Sequence, residues 1–106
     1  MTQGTKHDTG KPMVALVPQK ALLEVAKVMT YGATKYKQFN WKQGLTYLRL
    51  YSATMRHMIA WHSGENSDPE TGISHIAHAC CNLLMLCEFE TEQRSNLDDR
   101  YKEKTV

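Results

Sequence analysis

The stretch Arg56-His57-Met58-Ile59-Ala60-Trp61-His62-Ser63-Gly64-Glu65-Asn66-Ser67-Asp68-Pro69-Glu70-Thr71-Gly72-Ile73-Ser74-His75-Ile76-Ala77-His78 decides how this chain folds. Upstream of its loop, apolar residues recur at helical spacing from Leu45 to about His62, and downstream an apolar helical run continues to about residue 90. Gly64 is a helix stop, and the Ser-, Asp-, Pro- and Gly-bearing segment through Gly72 is a reversal. The spacing therefore predicts two helices joined as an antiparallel hairpin. Four of the five histidines and the carboxylates Glu65, Asp68 and Glu70 fall in this one stretch. Such a concentration of metal-competent and proton-transferring groups at a helix junction marks it as the place for chemistry.

On the helix before the loop, Leu48, Ser52, Met55 and Ile59 are expected to face the core, with His62 beside them. Ala53, His57 and Trp61 form a second stripe flanked by Arg49 and Arg56, so both faces should be occupied. The third helix is expected over about residues 70–90. Asp68 reads either as its N-cap, with Pro69 in the first helical position, or as a metal ligand; Glu70 likewise favours a positive helix start or serves the site. Residues 76–87 are apolar nearly all round, which predicts burial on every side and, in so short a chain, an oligomer or the centre of a bundle. Cys80, Cys81 and Cys87 lie in that run without a CxxC pair and read as small buried hydrophobes.

Further out, Leu22, Val25, Ala26, Met29 and Ala33 predict an amphipathic helix over 18–30, with Pro18 in its first turn and Gly32 as a stop or a close approach. Residues 31–44 mix four aromatics with three lysines and Asn40. Such a segment suits stacking on a nucleobase and neutralising phosphate, or else plugs a core as a connecting loop. Residues 1–16 read as an extended arm in which Lys11 is a further phosphate candidate, residues 17–90 as the helical nucleotide-binding domain, and residues 91–106 as a charged tail.

The 106 residues suffice for one lean domain, all-α, a small bundle of three main helices completed by oligomerisation. A formal charge of +2 gives no footprint for a nucleic-acid polymer, and no apolar run is long enough to span a bilayer. The polar N-terminus has no signal-peptide core, so a soluble cytoplasmic protein is expected, without a membrane partner. His75, His78 and Asn82 share one side of the third helix, and two imidazoles at that spacing can bind a divalent ion. Glu65-x-x-Asp68 could add hard oxygen ligands, and His57 would face this end if the hairpin closes in register.

The strings Lys6-His7-Asp8-Thr9-Gly10-Lys11-Pro12, Tyr31-Gly32-Ala33-x-Lys35-Tyr36, Asn40-Trp41, Arg56-His57-x-x-Ala60-Trp61, Gly64-Glu65-x-x-Asp68-Pro69-Glu70-Thr71-Gly72 and His75-x-x-His78-Ala79-x-x-Asn82 together resemble one family. It is the phage-associated dATP/dGTP diphosphohydrolase N-terminal domain, a MazG-like relative of the all-α nucleoside triphosphate pyrophosphohydrolases. The resemblance implies a dimer or tetramer that cleaves a (deoxy)nucleoside triphosphate to monophosphate and pyrophosphate with Mg²⁺ or Mn²⁺, and the expected substrate is a purine deoxynucleoside triphosphate. Metal would fall to Glu65, Asp68, His75 and His78, catalysis to Glu65, Asp68 and Glu70. Nucleotide contacts would fall to Lys11, Lys35, Tyr36, Asn40, Trp41, Arg56, His57 and Asn82. Better-known MazG-like enzymes hold metal through Glu-x-x-Glu on one helix and Glu-x-x-Asp on the next, whereas no carboxylate lies between Leu45 and Gly64 here. That departure motivates an alternative from another class, a non-catalytic helical oligomer that sequesters a nucleotide.

Overall fold

Helix periodicity translates directly into architecture in the computed structural model of the chain, which describes residues 2–103. Three helices follow one another, α1 (Gln19–Lys35), α2 (Tyr47–His62) and α3 (His75–Thr91), with short 3-10 turns at Val14–Leu16, Asn40–Gln43 and Ser95–Leu97. Among the described residues there is no strand, only an isolated bridge between Ser67 and Ser74. The all-α expectation holds. No helix of the described residues is long and apolar enough to cross a membrane.

α1 runs past Gly32 to Lys35, and a Cβ at Gly32 would meet nothing within 4 Å, so that glycine neither stops the helix nor admits a neighbour. Pro18 stands at the N-cap rather than inside the first turn, its carbonyl accepting from the Leu22 N–H at 3.1 Å. α1 buries Val25 and meets α3 where Cys81 Sγ lies 3.1 Å from Met29 Sδ.

α2 ends as its sequence predicts. Gly64 takes φ +105°, Gly64 N–H donates to Trp61 O at 3.0 Å and Glu65 N–H to Ala60 O at 3.1 Å. This paired closure satisfies the last carbonyls and turns the chain sharply. The face turned inward is not the expected one, however. Tyr47, Leu50 and Thr54 are buried, whereas Leu48, Met55, Ile59 and His62 are exposed, Ile59 by 63 %. An apolar stripe says that something covers it, and within one chain α3 covers the other side.

α3 begins later than expected. Asp68 does not cap it: Asp68 Oδ1 accepts from the N–H groups of Glu70 (2.8 Å) and Thr71 (3.1 Å), closing a turn inside the loop. Backbone bonds from Asp68 N to Ile73 O and from His75 N to Asn66 O then hold residues 66–68 against 73–75. Ser74 is the true N-cap, accepting from Ile76 N and Ala77 N. Burial of α3 is also one-sided: Ala77, Ala79, Cys81 and Phe89 are enclosed, but Leu83 and Leu84 are each 50 % exposed and Cys87 is exposed. Only Cys81 fits the expectation of a buried thiol, and burial pushes it up to about 11, which keeps it protonated.

The segment after α3 is anchored rather than frayed. It leaves α3 through a left-handed Gln93 (φ 57°), buries Leu97 against Tyr47, Leu50 and Phe89, and brings Asp99 Oδ1 2.9 Å from the Leu48 N–H. Asp99 thereby caps α2, whose own N-cap residue Thr46 makes no side-chain bond. Arg94 donates to the carbonyls of Lys42 (2.8 Å) and Gln43 (2.9 Å), fixing the Trp41 segment to the same core. A Cβ on Gly44 would fall 2.6 Å from Arg94 Nη2, so that glycine gives the arginine its room. Residues 104–106 of the expected tail lie outside the described residues.

Candidate functional site

The hydrophobic core sits where α2 begins and α3 ends; at the opposite end the hairpin is closed by polar groups. His57, on α2 ten residues beyond Tyr47, reaches α3: its Nδ1 lies 2.9 Å from His75 Nδ1, and its ring stacks on His78 at 4.5 Å with planes 7° apart. Asp68 Oδ2 approaches the same His57 nitrogen at 4.0 Å. His75 is only 3 % exposed, and its other nitrogen, Nε2, is 2.7 Å from Glu65 Oε1. A carboxylate only accepts, so Glu65 fixes the proton of His75 on Nε2 and leaves Nδ1 bare and turned toward His57. His78 Nε2 pairs with Thr71 Oγ1 at 2.8 Å, and the Ile73 N–H donates to that same hydroxyl.

The electrostatics follow from crowding. His57 is held below the ordinary imidazole value, first by burial and then by the His78 and His75 rings; burial does the same to His78. Burial alone would raise Asp68, but the Thr71 and Glu70 N–H groups, with His78 and His57 beyond them, bring it below the usual carboxylate range. Neutral imidazole nitrogens and an ionised carboxylate are the forms that bind metal. His57, Asp68 and His75 each offer one donor atom, all within 4.8 Å of one another.

Alongside lies a groove of about 790 Å³ between α1, the 36–41 segment, α2 and α3. Its lining includes the cations Lys37, Arg49 and Arg56, the aromatics Tyr36, Phe39 and Trp41, and the amides Gln38, Asn40 and Asn82, with no carboxylate. Ala53 and Asn82 line it, and each stands four residues from a member of the histidine cluster, His57 on α2 and His78 on α3. Groove and cluster are therefore neighbours along both helices, at most about one turn apart.

The family described as dATP/dGTP diphosphohydrolase, N-terminal, matches residues 1–100. The chain belongs to this family. A relative in it, the dATP/dGTP diphosphohydrolase of Salmonella phage PMBT28, is 37 % identical over 97 residues, covering 92 % of this chain and 33 % of its own length. The chain thus spans about a third of the curated relative it matches. No solved structure matches it.

For a member of this diphosphohydrolase family, the placement of the candidate residues separates into three groups. Tyr36, Asn40, Trp41, Arg56 and Asn82 meet in the groove. Glu65, Asp68, His75 and His78 meet in the cluster, joined by His57, which lies there rather than in the groove lining. Glu65 and His78 use their contacts on His75 and Thr71, so the convergent donor set is His57, Asp68 and His75. The third group stands apart. Lys35 reaches Glu70 at 3.4 Å and Tyr31 Oη donates to Glu70 Oε1 at 3.0 Å, so Glu70 ties the loop to α1 and Lys35 lies outside the groove lining. Lys11 is exposed on the arm, beyond the groove lining. Arg49 and Gln38 are groove residues that sequence reading did not single out for binding, whereas Lys37 and Phe39 belong to the 31–44 segment expected to stack on a base and neutralise phosphate. Arg49 and Arg56 are seven apart on one helix, two turns on one face, which is the signal that could have paired them.

Proposed function

We propose that the chain binds a purine deoxynucleoside triphosphate in the groove and, with a divalent ion, hydrolyses it to the monophosphate and pyrophosphate. One observation carries this: a largely apolar groove bordered by Lys37, Arg49 and Arg56, with no carboxylate in its lining, lies within about one helical turn of a cluster of metal-competent imidazoles and acids. Arg49, Arg56 and Lys37 neutralise the phosphates. Tyr36, Phe39 and Trp41 offer faces for the base, and Asn40, Gln38 and Asn82 offer amides for its edge or the sugar. The name of the phage PMBT28 relative supports a purine deoxynucleotide as substrate.

His57, Asp68 and His75 would hold the divalent ion, which when bound supplies positive charge against the charge developing on the phosphoryl oxygens. In the reaction, water attacks the α-phosphorus, the bond to the α,β-bridging oxygen breaks, and pyrophosphate leaves. Glu65, half exposed beside His75, accepts the water proton and passes it to solvent. Such an enzyme acts on the nucleotide pool, in the cytoplasm. The purified chain is expected to release pyrophosphate from dATP or dGTP with Mn²⁺, Arg56→Gln to raise KM, and Glu65→Gln to lower kcat. No pyrophosphate from the parent chain overturns hydrolysis. If a nucleotide then still binds in EDTA and is recovered intact, the alternative stands: a sequestering protein, which the absence of any carboxylate on α2 favours.

The assembly we propose is a homo-oligomer. Its support is the exposed apolar stripe Leu48, Tyr51, Met55 and Ile59 on α2 and Leu83 and Leu84 on α3. A second copy covering these faces would bury what one chain leaves open, and light scattering of the intact chain tests it: a monomer mass overturns the oligomer.

A further inference from the structure

The donor set at the loop end of the hairpin says more than that a divalent ion fits. We infer that His57, His75 and Asp68 form a site for a first-row transition ion of the Mn²⁺ to Zn²⁺ series rather than for Mg²⁺, with Glu65 as the group that orients His75. This inference names the ion class for the activity proposed above, but ion binding itself does not depend on that activity.

Three features on the molecule converge. The two Nδ1 atoms lie 2.9 Å apart, close to the roughly 3.0 Å (octahedral) to 3.4 Å (tetrahedral) between adjacent ligands bound to one ion at about 2.1 Å. The same two nitrogens can share a proton, and an ion would take that proton's place. Next, the donors are two imidazole nitrogens and a single carboxylate oxygen. Mg²⁺ takes oxygen ligands and gives up its water reluctantly, whereas imidazole suits transition ions. Finally, Glu65 Oε1 at 2.7 Å from His75 Nε2 is the outer carboxylate that commonly accompanies a metal-bound histidine, fixing tautomer and ring orientation. His7 and His62, both exposed, lie outside this donor set.

Three protein donors leave further positions for oxygen atoms of water or nucleotide. The groove residue Asn82 stands one turn from His78, so the cluster and the groove are neighbours along α3.

The test uses the full chain without nucleotide. Titration with Co²⁺ is expected to produce ligand-field absorption at one ion per chain, and calorimetry to show Zn²⁺ and Co²⁺ binding at least 100-fold more tightly than Mg²⁺. His57→Ala and His75→Gln should abolish the Co²⁺ spectrum, while a variant lacking both His7 and His62 should keep it. Since His75→Gln risks the fold, Glu65→Gln provides a second reading. It retains an acceptor for His75 and should weaken Co²⁺ binding about 10–100-fold with unchanged circular dichroism. A Co²⁺ spectrum untouched by His57→Ala in a folded protein, or Mg²⁺ bound as tightly as Zn²⁺, overturns the inference. Ion binding without pyrophosphate release would sink the hydrolase reading and leave this one standing; hydrolysis with Mg²⁺ by a chain that binds no Co²⁺ would do the reverse.

Discussion

The two ends of the α2–α3 hairpin are built on opposite principles. At one end Tyr47, Leu50, Phe89 and Leu97 close on each other with Trp41, Leu45, Met85 and Leu86 packed around them. At the other, His57, His75 and His78 meet Asp68, Glu65 and Thr71, and every polar contact is made by a side chain with a second partner behind it. The apolar end can hold the helices together without directional bonds, because burial is roughly proportional to area. The polar end gains little from burial and needs its bonds complete. The comparison teaches that stability and chemistry are separated along one hairpin, so each should respond to different perturbations.

The largest expected effect is at the apolar end. Phe89 is 0 % exposed, touching Trp41 with ring centroids 6.0 Å apart and lying 5.0 Å beneath the Arg94 guanidinium. Phe89→Ala should cost about 3–5 kcal/mol, a large share of the stability of any small domain. Urea unfolding would read it as a lower midpoint. A loss under about 1 kcal/mol would show that this cluster is not the core.

Acid should act on the other end. His57 and His78 titrate below their unfolded value in the folded chain, so the unfolded chain binds more protons as pH falls through that value. Their contribution is fully present above about pH 6.5 and is lost as pH drops through the depressed folded values. Asp68, also lowered, adds its loss further into the acid range. Thermal melts in EDTA should therefore show a falling midpoint between pH 7 and 5, and His57→Asn should flatten that slope while leaving the Phe89 cluster intact. A midpoint independent of pH there would mean the imidazoles are not crowded as described.

Legibility in the sequence divides along the same line. The polar end was largely visible because its signals are local: Gly64 past the last helical residue, His75, His78 and Asn82 on one stripe, Glu65 and Asp68 in the loop between. What misled was Asp68-Pro69-Glu70, whose residues are those of a helix start; the difference is the pairing of 66–68 with 73–75, which no propensity of Pro69 reveals. The apolar end was poorly visible. Leu97 and Asp99 sit in a charged run with no periodicity, and they count only because they return to Leu50 and to Leu48, about fifty residues earlier. The inward face of α2 was misassigned for a related reason. Amphipathicity identifies an apolar stripe but not what covers it, and Leu48, Met55 and Ile59 point away from their own chain.

Asp99 allows a smaller, sharper test of the tail's part in the apolar end. Its carboxylate stands in for an N-cap at Leu48, so Asp99→Ala should cost about 1 kcal/mol in urea unfolding without changing Co²⁺ binding at the other end. Independence of the two ends predicts additivity with His57→Asn, since distant sites without shared partners add within about 0.5 kcal/mol. A coupling well above that would mean that strain passes along the hairpin.

The smallest effect expected is a gain. Gln93 holds φ 57° where α3 closes, with Gln93 N–H on Glu90 O at 3.0 Å and Arg94 N–H on Phe89 O at 3.0 Å. This is the closure that ends α2, but there a glycine takes the left-handed position. A side chain in that conformation costs about 1 kcal/mol. Gln93→Gly removes that strain while adding chain entropy to the unfolded state, so the net gain should be a few tenths of a kcal/mol, up to about 1. The matching exchange, Gly64→Gln, should lose more than that, because φ +105° lies beyond the left-handed region open to a side chain, and should also displace Glu65, the next residue, from His75. The pair thus turns one backbone motif into a probe of both ends: stability alone should move at Gln93, stability and ion affinity together at Gly64.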